Sequence, residues 1–241
     1  MNDEFYIGYL PKAPALLSKW LKRAVAALFV LGTASGLWLT IGQPSFADSK
    51  FEYGVSREYS GALEEWPYPM LRTSDGSFLL VATGKHGLSA AAFTGKSVRL
   101  KGTLIQRGAD RMLEVETGSL KQIGALPNGN ALTFASLGSF TLRGEIVDSK
   151  CYLGVMNPGN GKVHRDCAVR CISGGAPPAF IVRDGSDDAR VLLLTGANGR
   201  QLNREILSYV AEPLEISGEL VRSGSTLILK AEPSRFRRYT E

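Results

Sequence analysis

The chain has 241 residues, 44% apolar and 21% charged, a balance that excludes a disordered polymer and suffices for one large folded body or two small ones. Its net charge of +5 does not point to nucleic acid, because residues 51–241 hold 23 basic against 20 acidic side chains. No stretch interleaves basic and aromatic residues as a nucleic-acid face would.

Residues 1–23 read as a cytoplasmic leader. Phe5, Tyr6, Ile7, Tyr9 and Leu10 would be stranded there unless they rest on lipid or meet another subunit. From Ala24 to Gly42 come 19 residues without a charge, about one bilayer crossing at roughly 1.5 Å per residue. Lys12, Lys19, Lys22 and Arg23 precede this run, so a single-pass protein of a bacterial inner membrane is expected, N-terminus cytoplasmic and body periplasmic. The alternative is a cleaved signal peptide, for which Ser45-Phe46-Ala47 is an acceptable site. A single crossing argues against transport or quinone chemistry by this chain alone.

Residues 43–74 read as a juxtamembrane segment, with Tyr53, Tyr59, Trp66 and Tyr68 available to pack on the body or on a partner. Beyond it an internal repeat organises the sequence. VRLKGTLIQRGADRMLEVE (98–116) and LEISGELVRSGSTLILKAE (214–232) each alternate apolar and polar residues around a glycine-containing turn, a hairpin written twice. The period predicts a mainly β fold: two small OB-like β-barrel domains, 75–130 and 137–233, the second with a short inserted helix. GKHG (84–87) lacks the phosphate-loop pattern and reads as a turn. His86 has no neighbouring ligand set. The basic tail, 234–241, sets Arg235, Arg237 and Arg238 among aromatic residues. With 1–23 and 51–70 it offers contact surfaces for membrane protein subunits and the lipid bilayer.

HRDCAVRC (164–171) holds a histidine and two cysteines in a chain with two histidines and three cysteines. It reads as a short helix ending near Gly174 and Gly175, with His164, Cys167 and Cys171 on one face. Cys151, at the end of the preceding strand, can converge on them. Cys151, His164, Cys167 and Cys171 form a competent tetrahedral zinc set. Copper is the next ion in order; haem and iron–sulfur are weaker candidates. The competing reading is a disulfide from Cys151 to Cys167 or Cys171, natural outside the cytoplasm, with one thiol left over. Asp148 and Asp166 are available to orient His164, although hydrated surface ion pairs are the ordinary role for such residues. No complete catalytic set is visible, so a non-catalytic subunit is expected.

GEIVDSKC, HRDCAVRC and the following GGAPP together resemble a pattern of bacterial exported or membrane-anchored proteins that carries no established activity. The resemblance covers residues 144–180, with Cys151, His164, Cys167 and Cys171 matching position by position, and implies an organised site without naming a reaction. The main expectation is an extracytoplasmic accessory or structural subunit of a bacterial envelope complex, with respiratory electron transfer as the candidate setting. The alternative is a metal-binding or thiol-redox protein built on the Cys3His cluster.

Overall fold

The computed structural model describes residues 14–43, 48–125, 133–182 and 189–239. The aromatic part of the leader, the suggested cleavage site and most of the connector near 125–135 lie outside the described residues. The chain separates into two units, an N-terminal helical one and a β-rich body beginning at Phe46.

Helix α1, Ala15–Ile41, is 27 residues long, about 40 Å at 1.5 Å per residue, against a hydrocarbon core of about 30 Å. It therefore begins nine residues before the uncharged run and takes Lys19, Lys22 and Arg23 into its first turns. None of its residues is buried, and it is long and apolar enough to span a membrane. Its hydroxyls are satisfied within the helix: Thr33 Oγ1 donates to Phe29 O at 2.8 Å and Thr40 Oγ1 to Gly36 O at 2.8 Å. An apolar solvent, which offers no partners, requires this.

The body contains two sheets with one pairing scheme. In the second sheet the strands are β7 (Ala135–Asp148), β8 (Pro178–Val182), β9 (Arg190–Thr195), β10 (Leu214–Ser223), β11 (Thr226–Lys230) and β12 (Arg237–Arg238). Strand β7 pairs with β8, β8 with β9, β9 in parallel with β11, β11 with β10, and β10 returns to β7. This closes a five-stranded barrel, to which β12 adds at the start of β10. The expected helix, α2 (Arg165–Ser173), lies between β7 and β8.

The first sheet is built from β1 (Ser49–Glu64), β2 (Met70–Thr73), β3 (Gly76–Ala82), β4 (Lys96–Arg107), β5 (Asp110–Val115) and β6 (Lys121–Ala125). Its six pairings repeat those of the second strand for strand, the parallel β3–β5 pair and the β4–β6 addition included. The two hairpins seen in the sequence are β4–β5 and β10–β11. Each closes through a two-residue turn opening on a glycine of positive φ, Gly108 (55°) and Gly224 (57°), the conformation that hairpin turns of this kind demand.

Each sheet has its own core, one around Leu63, Leu80, Leu100 and Leu113 and the other around Ile146, Phe180, Leu194 and Ile216. A third buried cluster joins them. Met70, Leu79, Ile105 and Met112 of the first sheet pack there on Val147, Ile181, Leu193 and Ile228 of the second. Burying such side chains is worth roughly 1.5–3 kcal/mol each, so the two sheets are held face to face. Tyr68 fastens them: its buried hydroxyl donates to Leu194 O at 2.6 Å and accepts from Leu202 N at 3.3 Å.

Two stretches expected as contact surfaces also enter the body. Residues 49–64 of the juxtamembrane segment form β1, with Tyr53 left 84% exposed. In the tail, Phe236 is buried against the Tyr209 ring, and Arg238 Nη2 donates to Ser208 O at 2.6 Å. A buried aromatic and strand pairing outweigh the solvation of three arginines.

A candidate metal centre at the junction of the two sheets

Strand β7 ends in an unusual run. Asp148, Ser149 and Lys150 are 0%, 0% and 4% exposed, and burying three polar side chains in succession is costly unless each finds partners. All three do. Asp148 Oδ1 accepts from the Cys151 amide at 2.8 Å, and Oδ2 lies 3.0 Å from His164 Nε2. Ser149 Oγ donates to Pro177 O at 2.7 Å. The Lys150 ammonium crosses to the first sheet, donating to Ala82 O at 3.1 Å, Gly84 O at 2.6 Å and Glu114 Oε1 at 2.6 Å.

A single turn at Cys151–Val155 follows, with Cys151, Tyr152 and Leu153 buried. The loop beyond it is pinned by Glu145, which accepts from Asn160 Nδ2 at 3.0 Å and from the Gly161 amide at 2.9 Å. His164 then stands at the N-cap of α2. Ala168 and Ile172 of that helix enter the barrel core, while Cys167 and Cys171 turn to another small cluster with Cys151 and Ala176. The helix stops at Gly174, whose amide donates to Arg170 O at 3.0 Å.

The structure places the four sequence-predicted ligands in two overlapping donor groups rather than in one. One donor atom each from Cys151, His164 and Cys167 lie within 4.8 Å of one another, as do those of Asp148, Cys151 and Cys171. Cys151 is common to both groups. His164, Cys151 and Cys171 are buried and Cys167 is half-buried. The disulfide of the competing reading is not formed. All three cysteines are free, and Cys151 Sγ and Cys167 Sγ stand 4.0 Å apart, whereas a disulfide needs about 2.05 Å. The strand end and the helix face hold these two sulfurs beyond bonding distance. Thiolates bound at about 2.3 Å in a tetrahedron lie roughly 3.8 Å apart.

Electrostatics divide the thiols. Its hydrogen bond to Cys171 raises the Cys151 pKa, helped by burial and by the negative charge of Asp148. The same hydrogen bond lowers that of Cys171, against burial. Within this pair, Cys171 is therefore the thiol that gives up its proton more readily. A metal ion would displace that proton, since only thiolates ligate.

One participant, Lys85, exceeds the sequence reading, and Asp148 takes the less ordinary of its two expected roles. Asp148, read either as a partner for His164 or as a surface ion pair, takes the first role: it is fully buried and holds both His164 and the Cys151 amide, because β7 carries it beneath the helix. Lys85 comes from the first sheet. Its ammonium donates to Cys167 Sγ at 3.2 Å, which raises its pKa through that hydrogen bond. GKHG is thus a turn, as expected, but one docked on the centre. The Gly87 amide donates to Gly174 O at 2.9 Å, and a Cβ on Gly174 would lie 2.0 Å from Lys85 O, so only glycine lets the backbones approach. The signal for this was the glycine pair on each side. His86 and Asp166 belong to neither donor group.

Comparison with protein-family models, with curated proteins and with solved structures gave no match.

Proposed function

We propose that the protein is a single-pass membrane protein whose periplasmic β body binds a metal ion through Cys151, His164, Cys167 and Cys171, with zinc the ion the donors suit best. The observation that carries this reading is the buried Asp148–His164 pair beside two sulfurs at 4.0 Å. Metal-bound histidines characteristically give their second ring nitrogen to a carboxylate, which fixes tautomer and orientation. With Nε2 held by Asp148, Nδ1 is the nitrogen left for the ion. Three sulfurs and one imidazole suit zinc, and a copper ion would find the same soft donors.

A zinc ion bound by these four residues would supply folding energy, tying the end of β7 to α2. The resemblance of residues 144–180 to exported and membrane-anchored bacterial proteins, and the lysines ahead of the apolar helix, support the periplasmic placement. The test is elemental mass spectrometry of the full chain extracted in mild detergent without chelators. One equivalent of zinc, lost in a Cys151→Ser/Cys167→Ser variant, is expected. A metal-free chain with reversibly oxidised thiols would instead favour redox chemistry at the same cysteines.

A second reading, an accessory subunit of an envelope complex, is favoured by Tyr53 and Val55, which β1 leaves 84% and 44% exposed. Such side chains supply contact area at protein interfaces. Gentle extraction followed by mass spectrometry should then recover stoichiometric membrane partners.

A further inference from the structure

We propose that Lys85, delivered by the first sheet, is a positioning residue of the metal centre, protecting the Cys167 thiolate by an N–H···S hydrogen bond. The proposal rests on the metal reading and deepens it.

Cys167 is the weak point of the donor set. It is half-buried, whereas His164, Cys151 and Cys171 are buried, so solvent and competing electrophiles reach it first. Lys85 Nζ lies 3.2 Å from its sulfur. The segment bearing Lys85 is itself fixed from two directions. On one side the Lys150 ammonium grips Ala82 O and Gly84 O, and the Gly84 amide donates to Glu114 Oε1 at 3.2 Å. On the other, Gly87 bonds Gly174 directly after α2.

Charge explains what this placement does. Three thiolates and a divalent ion sum to one negative charge, and Asp148 adds another close by. A cation touching the outermost sulfur offsets that excess and draws electron density from the sulfur, which weakens it as a nucleophile. Lys85 is exposed and lies outside all three large cores, so its replacement leaves folding intact.

The experiment compares the full-length protein with Lys85→Met and Lys85→Arg. Zinc affinity is measured against a chromophoric chelator, and the alkylation rate of Cys167 in the zinc-loaded protein is followed by peptide mass spectrometry. Lys85→Met is expected to bind zinc about tenfold more weakly, the lower end for a lost outer hydrogen bond, and to be alkylated faster at Cys167. Lys85→Arg keeps an N–H donor and should stay within about threefold of the parent. Unchanged affinity and alkylation in Lys85→Met, or an equal loss in Lys85→Arg, would overturn the role of Lys85 and leave the metal reading standing. Failure of the unsubstituted protein to bind zinc would overturn the metal reading, and this one with it.

Discussion

His164 Nε2 and Asp148 Oδ2 lie 3.0 Å apart, and both side chains are buried. A strand end and a helix cap 16 residues apart are thereby locked to one imidazole orientation. Replacing Asp148 by Ala frees that ring and removes the acceptor of the Cys151 amide. Zinc affinity should fall about 10- to 100-fold, the range for lost carboxylate partners of metal-bound histidines. Competition with a chromophoric chelator measures it; an unchanged affinity would remove His164 from the ligand set.

Lys150 and Glu114 form a buried bridge between the sheets, their side chains 5% and 17% exposed. Lys150→Met leaves the Glu114 charge without its cation and should cost about 3–5 kcal/mol. Adding Glu114→Gln keeps an acceptor for the Gly84 amide and should recover part of the loss. Urea unfolding of the single and double variants reads the coupling.

Asp110 sits beside a cavity of about 30 Å³ between the sheets, near Ser149, Leu153 and Leu193. Burial pushes its carboxyl up to about 6 from 3.8. The folded state therefore holds a proton that the unfolded state has already released between these values. Stability is lost as pH rises through this window, and the penalty is complete above it. Asp110→Asn should stabilise the protein by about 3 kcal/mol at pH 7.5, from roughly 1.4 kcal/mol per pH unit, and by almost nothing at pH 3.5. Equal effects at both pH values would contradict this.

Tyr68 ties the first sheet to the second through Leu194 and Leu202. Tyr68→Phe keeps the ring and strands a buried carbonyl and amide, so a loss of about 1–3 kcal/mol is expected. Thermal unfolding should show the body melting earlier.

The hairpins β4–β5 and β10–β11 were readable because alternation and a turn glycine are local signals, written twice. The helix at His164–Cys171 was readable for the same reason, its stop marked by two glycines and a proline. Strand β1 was not: only two of its 16 residues, Ala62 and Leu63, are buried, so no alternation betrays a buried face. The shared core was hidden because Met112 and Ile228 follow the same alternation whether their face meets solvent or another sheet. Contacts across the chain were least legible. Lys85 and Cys167 stand 82 residues apart, and a lysine in a glycine turn has no periodicity to give it away. Asp148 kept two readings because composition cannot say which end of a strand is covered by a helix.

The most direct measurement is the intact mass of the full chain under native conditions, before and after alkylation with and without a chelator. The account predicts one zinc per chain and slow alkylation of Cys151, Cys167 and Cys171, with all three becoming reactive once the ion is removed under denaturing conditions. A metal-free chain two mass units lighter, with one reactive thiol, would contradict it and make the cluster a disulfide with a spare cysteine.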